Sequence, residues 1–224
     1  MTVVKSDERD DGAADEPRRG RGRPQLRSDE ETRQLILEAA RYEFSHSGYA
    51  ATSMENVARS ASVSTKTLYR LVPNKAALFE AMVTERIDGF ISVVKLRACD
   101  GGDIEAALTE ALLACAELML DGDVIALQRV ILADSDKFPD IAETFYRRAI
   151  TRTQDTLANW LRAQQKRGAI EFDDADAAAG MLLGMLAFQP HRSVMFGHRP
   201  APTKEERELR AKACARLFLR GCRR

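Results

Sequence analysis

The sequence predicts an all-α protein: a small N-terminal three-helix module followed by a larger C-terminal helical bundle, about nine helices in all. Three observations carry this. Apolar residues recur at helical spacing from Leu35 to Leu217. Ser, Asp, Asn, Gly and Pro stand where those runs start and stop. No stretch alternates apolar and polar residues in the manner of a strand. A chain of 224 residues with 45% hydrophobic and 30% charged side chains has the composition of an ordinary globular protein. Its formal net charge is zero, so any affinity for nucleic acid has to come from local clustering.

Residues 1–27 read as a disordered leader ending in a basic arm. Residues 1–16 carry six acidic and two basic side chains and almost nothing to bury. The sign then reverses, with Arg18, Arg19, Arg21 and Arg23 inside six residues, among Gly and Pro that prevent a helix. This is either a solvated linker or an arm whose Arg21 and Arg23 enter an A·T-rich minor groove; Arg21-Gly22-Arg23-Pro24 resembles the core of an AT-hook.

Residues 28–82 read as a helix-turn-helix domain. Ser28 and Glu31 form a capping box ahead of a stripe of Leu35, Ile36, Ala39, Ala40 and Phe44, and Gly48 offers a C-cap. Thr52 and Glu55 repeat the capping-box spacing, which places the start of a second helix at Thr52. Val57, Ala58 and Ala61 face inward, and Ala61-Ser62-Val63 makes the turn. Ser64 then caps a third helix over 65–70. Leu68, Val63 and Leu71 point inward, leaving Thr65, Lys66, Thr67, Tyr69 and Arg70 outside. A short second helix with a polar and basic outer face is built to enter the major groove of DNA. Asn74, behind Pro73, caps a fourth helix reaching about residue 97.

Residues 83–224 read as a second, effector-binding and dimerisation domain. Helices are expected over 104–120, 124–138 up to Pro139, 141–165 up to Gly168, 173–188 with a bend at Pro190, and 203–219.

Two stretches carry a family resemblance. Val63 to Phe79, VSTKTLYRLVPNKAALF, resembles the TetR family signature, and Phe44, Gly48-Tyr49 and Thr52 fit the helices before it. The match covers about residues 28–82. Ser62 stands where the family usually has Gly, and Leu71-Val72 replace the usual Tyr-Phe. Further on, LQRVILADSDKFPDIAETFYRRA is similar to AefR-like effector domains of that family, which share a Phe-Pro turn between two helices. The resemblance implies a ligand-responsive, sequence-specific transcriptional regulator, more often a repressor, that binds a near-palindromic operator as a homodimer.

It also implies that Tyr69 and Lys75 contact phosphates. Helix N-termini attract anions, which adds Thr52. Thr65, Lys66 and Thr67 on the first turn of the recognition helix suit base edges, with Arg70 beyond them. Tyr69 has a rival role in packing. The run 177–186 is apolar nearly all round; it is either an internal core helix or, with the Leu209/Ala213/Leu217 stripe, half of a four-helix dimer bundle. Gly180 and Gly184 permit close helix approach. A small-molecule cavity is implied in the second domain. Its candidate wall is Met119, Phe138, Phe145, Trp160, Met181 and Met185, with Leu118, Leu127 and Phe188, each of which also reads as plain core. Gln128, Arg129 and His191 are candidate polar anchors.

The same residues exclude other classes. His46, His191 and His198 are far apart, and no nucleophile, phosphate-loop, dinucleotide or metal spacing occurs. No enzyme activity, metal or cofactor is expected. Four cysteines without ligand spacing read as free thiols in a reducing cytosol. No signal peptide is visible, and the longest apolar run, 175–188, is shorter than the ~20 residues a membrane span needs. The expected location is cytoplasmic. One alternative is an architectural protein that binds A·T-rich DNA through the arm; another is a helical enzyme that has lost DNA binding.

Overall fold

The computed structural model describes residues 27–97 and 103–222. The described residues are helical throughout, with no strand. Helix α1 (Asp29–Ala51) starts in the expected capping box: Glu31 N–H donates to Ser28 Oγ at 3.1 Å and Ser28 N–H to the Glu31 carboxylate at 2.7 Å. At Gly48 the backbone leaves helical geometry (φ 84, ψ 164). A Cβ there would sit 3.1 Å from Val130 Cγ1, so this kink needs glycine for both conformation and space.

The second helix does not start at Thr52. Thr52 closes α1 instead, its N–H and hydroxyl both donating to Gly48 O, and it is 2% exposed. Ser53 is the cap of α2 (Met54–Ser60), accepting from Asn56 N–H. A Thr-Ser pair offers two adjacent caps, and burial of the first selects the second. The turn after α2 passes through Ser62 at φ 55, the left-handed conformation that Gly adopts freely. Ser64 caps α3 (Thr65–Leu71), and Asn74 Oδ1 accepts from Ala77 N–H at the start of α4 (Lys75–Arg97).

Ile36, Ala40, Phe44, Val57, Ala58, Leu68, Leu78 and Phe79 fill the core of this head, all 0–1% exposed. Phe44, Tyr49 and Phe79 stack or meet edge-on with centroids 5.5–5.9 Å apart. Burying each such ring contributes roughly 1.5–3 kcal/mol.

Helix α4 runs past residue 82 without a break into the second half. There α5 (Ile104–Met119), α6 (Gly122–Asp134), α7 (Pro139–Phe145), a π-helical turn (Tyr146–Thr151), α8 (Arg152–Lys166), α9 (Ala175–Met195) and α10 (Lys204–Cys222) follow. The segment from Pro139 to Lys166 keeps helical dihedrals at each of its junctions, so the single helix expected at 141–165 is one run carrying a π turn. Arg148 on that turn and Arg152 after it pair with Glu80 and Asp88 of α4.

Helix α9 departs from the sequence reading. It continues through Pro190 to Met195. Proline removes the N–H that would serve Leu186 O. Arg210 of α10 takes its place, donating from Nε to Leu186 O and from Nη2 to Met185 O at 2.8 Å. A cross-helix donor therefore lets the helix survive a residue that ordinarily ends one.

Candidate nucleic-acid interface and inner cavity

Helix α3 is held by Leu68, which is fully buried, and by its Ser64 cap. This leaves Thr65, Lys66, Tyr69 and Arg70 exposed and Thr67 half-buried. Thr65, Lys66 and Tyr69 make no side-chain hydrogen bond among the described residues. The Thr67 hydroxyl lies 2.8 Å from Ser64 Oγ, hydrogen-bonded to the cap.

Two expected contacts have other work in the protein. Arg70 forks onto Asp29, with Nη1 and Nη2 donating at 2.6 and 2.7 Å, and so braces α3 against the start of α1. That hydrogen-bonded pair raises the Arg70 pKa further above its usual value. Lys75 turns back into the head. Its Nζ donates to Tyr49 O at 2.8 Å, Thr52 O at 2.9 Å and Ala50 O at 3.4 Å, and lies 4.5 Å from the Tyr49 ring centroid. These are the carbonyls that the end of α1 leaves unserved. Burial holds the Lys75 ammonium below its usual pKa, countered in part by Asp134. Without DNA, Thr52, Lys75 and Arg70 thus serve as supports of the head. Arg21 and Arg23 lie outside the described residues.

Behind the head is a cavity of about 600 Å³ walled by α1, α4, α5, α6, the end of α7, the π turn, α8 and α9. Met119, Gln128 and Phe145 line it, with Leu118, Leu127, His191 and the largely exposed Phe188. Four candidates do not. Phe138 packs edge-on against Tyr49 at 5.1 Å, joining the second half to the head. Trp160 is 5% exposed within the core, away from the cavity wall. Met181 and Met185 point outward, 69% and 38% exposed. Arg129 donates to Val194 O at 2.9 Å and is not on the wall.

Sequence reasoning missed Leu37 of α1 and Met82, Val83, Ile87 and Phe90 of α4, which complete the cavity. Their signal was the second apolar face of α1 and α4, visible as spacing but without a direction. A second cavity of about 620 Å³ adjoins the first across Gln128, Phe145, Ile150 and His191, which line both. His191 Nε2 and Gln128 Oε1 are hydrogen-bonded there.

On the outside, α9 exposes Met181, Gly184, Met185 and Phe188 along one face, and α10 exposes Leu209, Ala213 and Leu217. Among the described residues no three or more His, Cys, Asp or Glu side chains gather as a metal site, and no helix is long and apolar enough to cross a membrane.

Comparison with known proteins agrees with this arrangement. Residues 36–82 match the family described as bacterial regulatory proteins, tetR family, and residues 106–222 match the AefR-like transcriptional repressor C-terminal domain. The HTH-type transcriptional repressor ComR of Escherichia coli (strain K12) is 29% identical over 157 residues, spanning 68% of this chain and 72% of that protein. Among solved structures, a TetR-family regulator from Mesorhizobium loti MAFF303099 superposes with a TM-score of 0.74 at 28% identity, covering 88% of this chain and 98% of its own. The flavonoid-responsive regulator FrrA superposes at 0.61, also at 28% identity, covering 86% and 97%. These relatives are named as regulators, not enzymes. With the AefR-like match spanning more than half of the chain and a helix-turn-helix head in front of it, the protein belongs to the TetR family of DNA-binding transcriptional regulators.

Proposed function

We propose that the protein is a homodimeric repressor that leaves its operator when a small, largely apolar effector fills the inner cavity. The observation that carries this is the position of α6. Its first half supplies Val124, Leu127 and Gln128 to the cavity, and Val130 from its second half abuts the Gly48 kink. Phe138, just beyond it, meets Tyr49 edge-on. A ligand that fits one setting of α6 better than another therefore biases the end of α1, and with it α2 and α3. It shifts the population only by that difference in affinity.

In this reading residues 28–82 form the DNA-binding domain and 83–224 the effector and dimer domain, with α4 continuous across the division. Thr65, Lys66 and Thr67 meet base edges and Tyr69 a phosphate, while Arg70, Lys75 and Thr52 keep the helix in place. Residues 1–27 add a basic arm. The outward faces of α9 and α10 pair with those of a second copy, and the protein acts in the cytoplasm.

The test is selection of DNA sites from a random pool at near-physiological salt. A near-palindrome with two half-sites a helical turn or more apart is the expected product. Recovery of A·T-rich DNA without symmetry supports instead the architectural reading, and deletion of residues 1–27 then abolishes binding. If compounds that fill the cavity never change the affinity for the selected operator, effector control is wrong.

A further inference from the structure

We propose that the Asp29 carboxylate stands in for a double-acceptor edge of DNA: it holds the Arg70 guanidinium in the free protein, and DNA binding transfers the fork to phosphate oxygens or to guanine O6 and N7. This rests on the reading of α3 as the helix that enters the groove. It goes beyond the support given by Arg70 above, which belongs to the protein without DNA.

The position of Arg70 comes first. Leu68 is 0% exposed and marks the inner side of α3. Counting along the helix, Lys66 and Arg70 each lie about 160° around the axis from Leu68. They therefore share the face turned most directly away from the head core, one turn apart. Both are exposed. A cation on that face meets DNA when the helix docks. Its partner Asp29 stands in the first turn of α1, and the two side chains are 51% and 52% exposed. The pair thus lies at the surface of the head, beside the face that α3 offers.

The chemistry of the fork comes second. Nη1 and Nη2 donate to the two Asp29 oxygens at 2.6 and 2.7 Å. A phosphate and the major-groove edge of guanine present two acceptors to the same fork. The exchange costs little on either side. Ion pairs between half-exposed side chains contribute little to stability. Asp29 keeps the favourable field of the α1 N-terminus after Arg70 leaves. Helix α3 does not depend on the pair, because Leu68 is buried and Ser64 Oγ accepts from Thr67 N–H at 3.0 Å. Arg33 of α1 also reaches it, donating from Nη1 to Leu71 O at 3.5 Å. DNA without a matching edge leaves Arg70 on Asp29, so the pair discriminates between sites.

The experiment uses the full chain and the duplex that the wild type recovers from a random pool, with affinity read by fluorescence anisotropy over a salt series. Arg70→Ala is expected to bind about ten-fold more weakly. Asp29→Asn is expected to bind about three-fold more tightly, because the competing acceptor is gone. Glu30→Gln removes the same charge one residue away and leaves the fork alone, so it should change affinity less. In an Arg70→Ala background the gain from Asp29→Asn should shrink to that of Glu30→Gln. Selections run in parallel separate the two acceptors. Loss of a preferred guanine in Arg70→Ala assigns the fork to a base edge; uniform weakening, with a salt slope smaller by about one per half-site, assigns it to phosphate. Circular dichroism checks the fold of each variant, and Arg70→Lys, which keeps the charge and loses the fork, replaces Arg70→Ala if the latter unfolds. Weakening by Asp29→Asn and Arg70→Ala alike would show a support alone and overturn the proposal. So would a gain in Asp29→Asn no larger than in Glu30→Gln, or one undiminished without Arg70. A wild type that prefers no duplex refutes sequence-specific binding itself, and this proposal with it. No effector is present, so none of these outcomes bears on effector control.

Discussion

The head and the bundle use side chains in opposite ways. In the head, residues with the chemistry of DNA contacts are tied to the protein itself: Thr52 donates to Gly48 O, Lys75 to three carbonyls at the end of α1, and Arg70, on the surface, to Asp29. In the bundle, residues with the chemistry of a core turn outward, with Met181, Phe188, Leu209 and Leu217 at 62–71% exposed. Only about fifty residues build the head, so its apolar core is small, and cations and caps finish what burial cannot. The bundle has apolar side chains beyond the needs of its own core. A surplus on one face is what an obligate partner surface looks like. Residue type therefore misleads in opposite directions in the two halves.

The sharpest way to break this comparison starts with the head's core. Phe79→Ala removes a fully buried ring that meets Phe44 and Tyr49. It is expected to cost about 3–5 kcal/mol in chemical denaturation. A smaller loss than 1 kcal/mol would mean the aromatic cluster does not hold the head.

Next is the outward face. Met181→Asp should weaken self-association about a hundred-fold, roughly 3 kcal/mol, because each copy would bury an unpaired carboxylate. Sedimentation should then report a mass near 25 kDa in place of about 50 kDa, twice the 24.9 kDa chain, with helical content kept. If instead the variant unfolds while the wild type is already monomeric, the face belongs to a core.

The two kinds of cation in the head can be separated directly. Lys75→Met should lower stability by about 1–2 kcal/mol, since carbonyls at the end of α1 lose their donor. Lys66→Ala should change stability by no more than about 0.5 kcal/mol while weakening operator binding about ten-fold or more. A stability loss in Lys66→Ala equal to that in Lys75→Met would erase the distinction between support and contact. The smallest effect is at the turn. Ser62→Gly should stabilise by about 0.5 kcal/mol, because glycine adopts φ 55 without the penalty a Cβ brings. No gain in melting temperature would show that Ser62 sits there unstrained.

The sequence by itself determined the elements and the family. Helical periodicity, the caps at Ser28, Ser64 and Asn74, and the left-handed turn at Ser62 are relations among residues a few positions apart, so the chain displays them before it folds. Tertiary structure decided where the directions lead. Thr52 and Ser53 are equal as caps until burial of Thr52 selects Ser53. Lys75 looks free until the end of α1, more than twenty residues earlier, arrives beside it. Pro190 reads as a stop until Arg210 brings a donor to the carbonyl it orphans. The apolar run of α9 gives no sign of which face will be left outside, because that depends on how many sides its neighbours cover. Periodicity reports that a face is apolar; only the packed neighbours decide whether it meets core, cavity or a second chain.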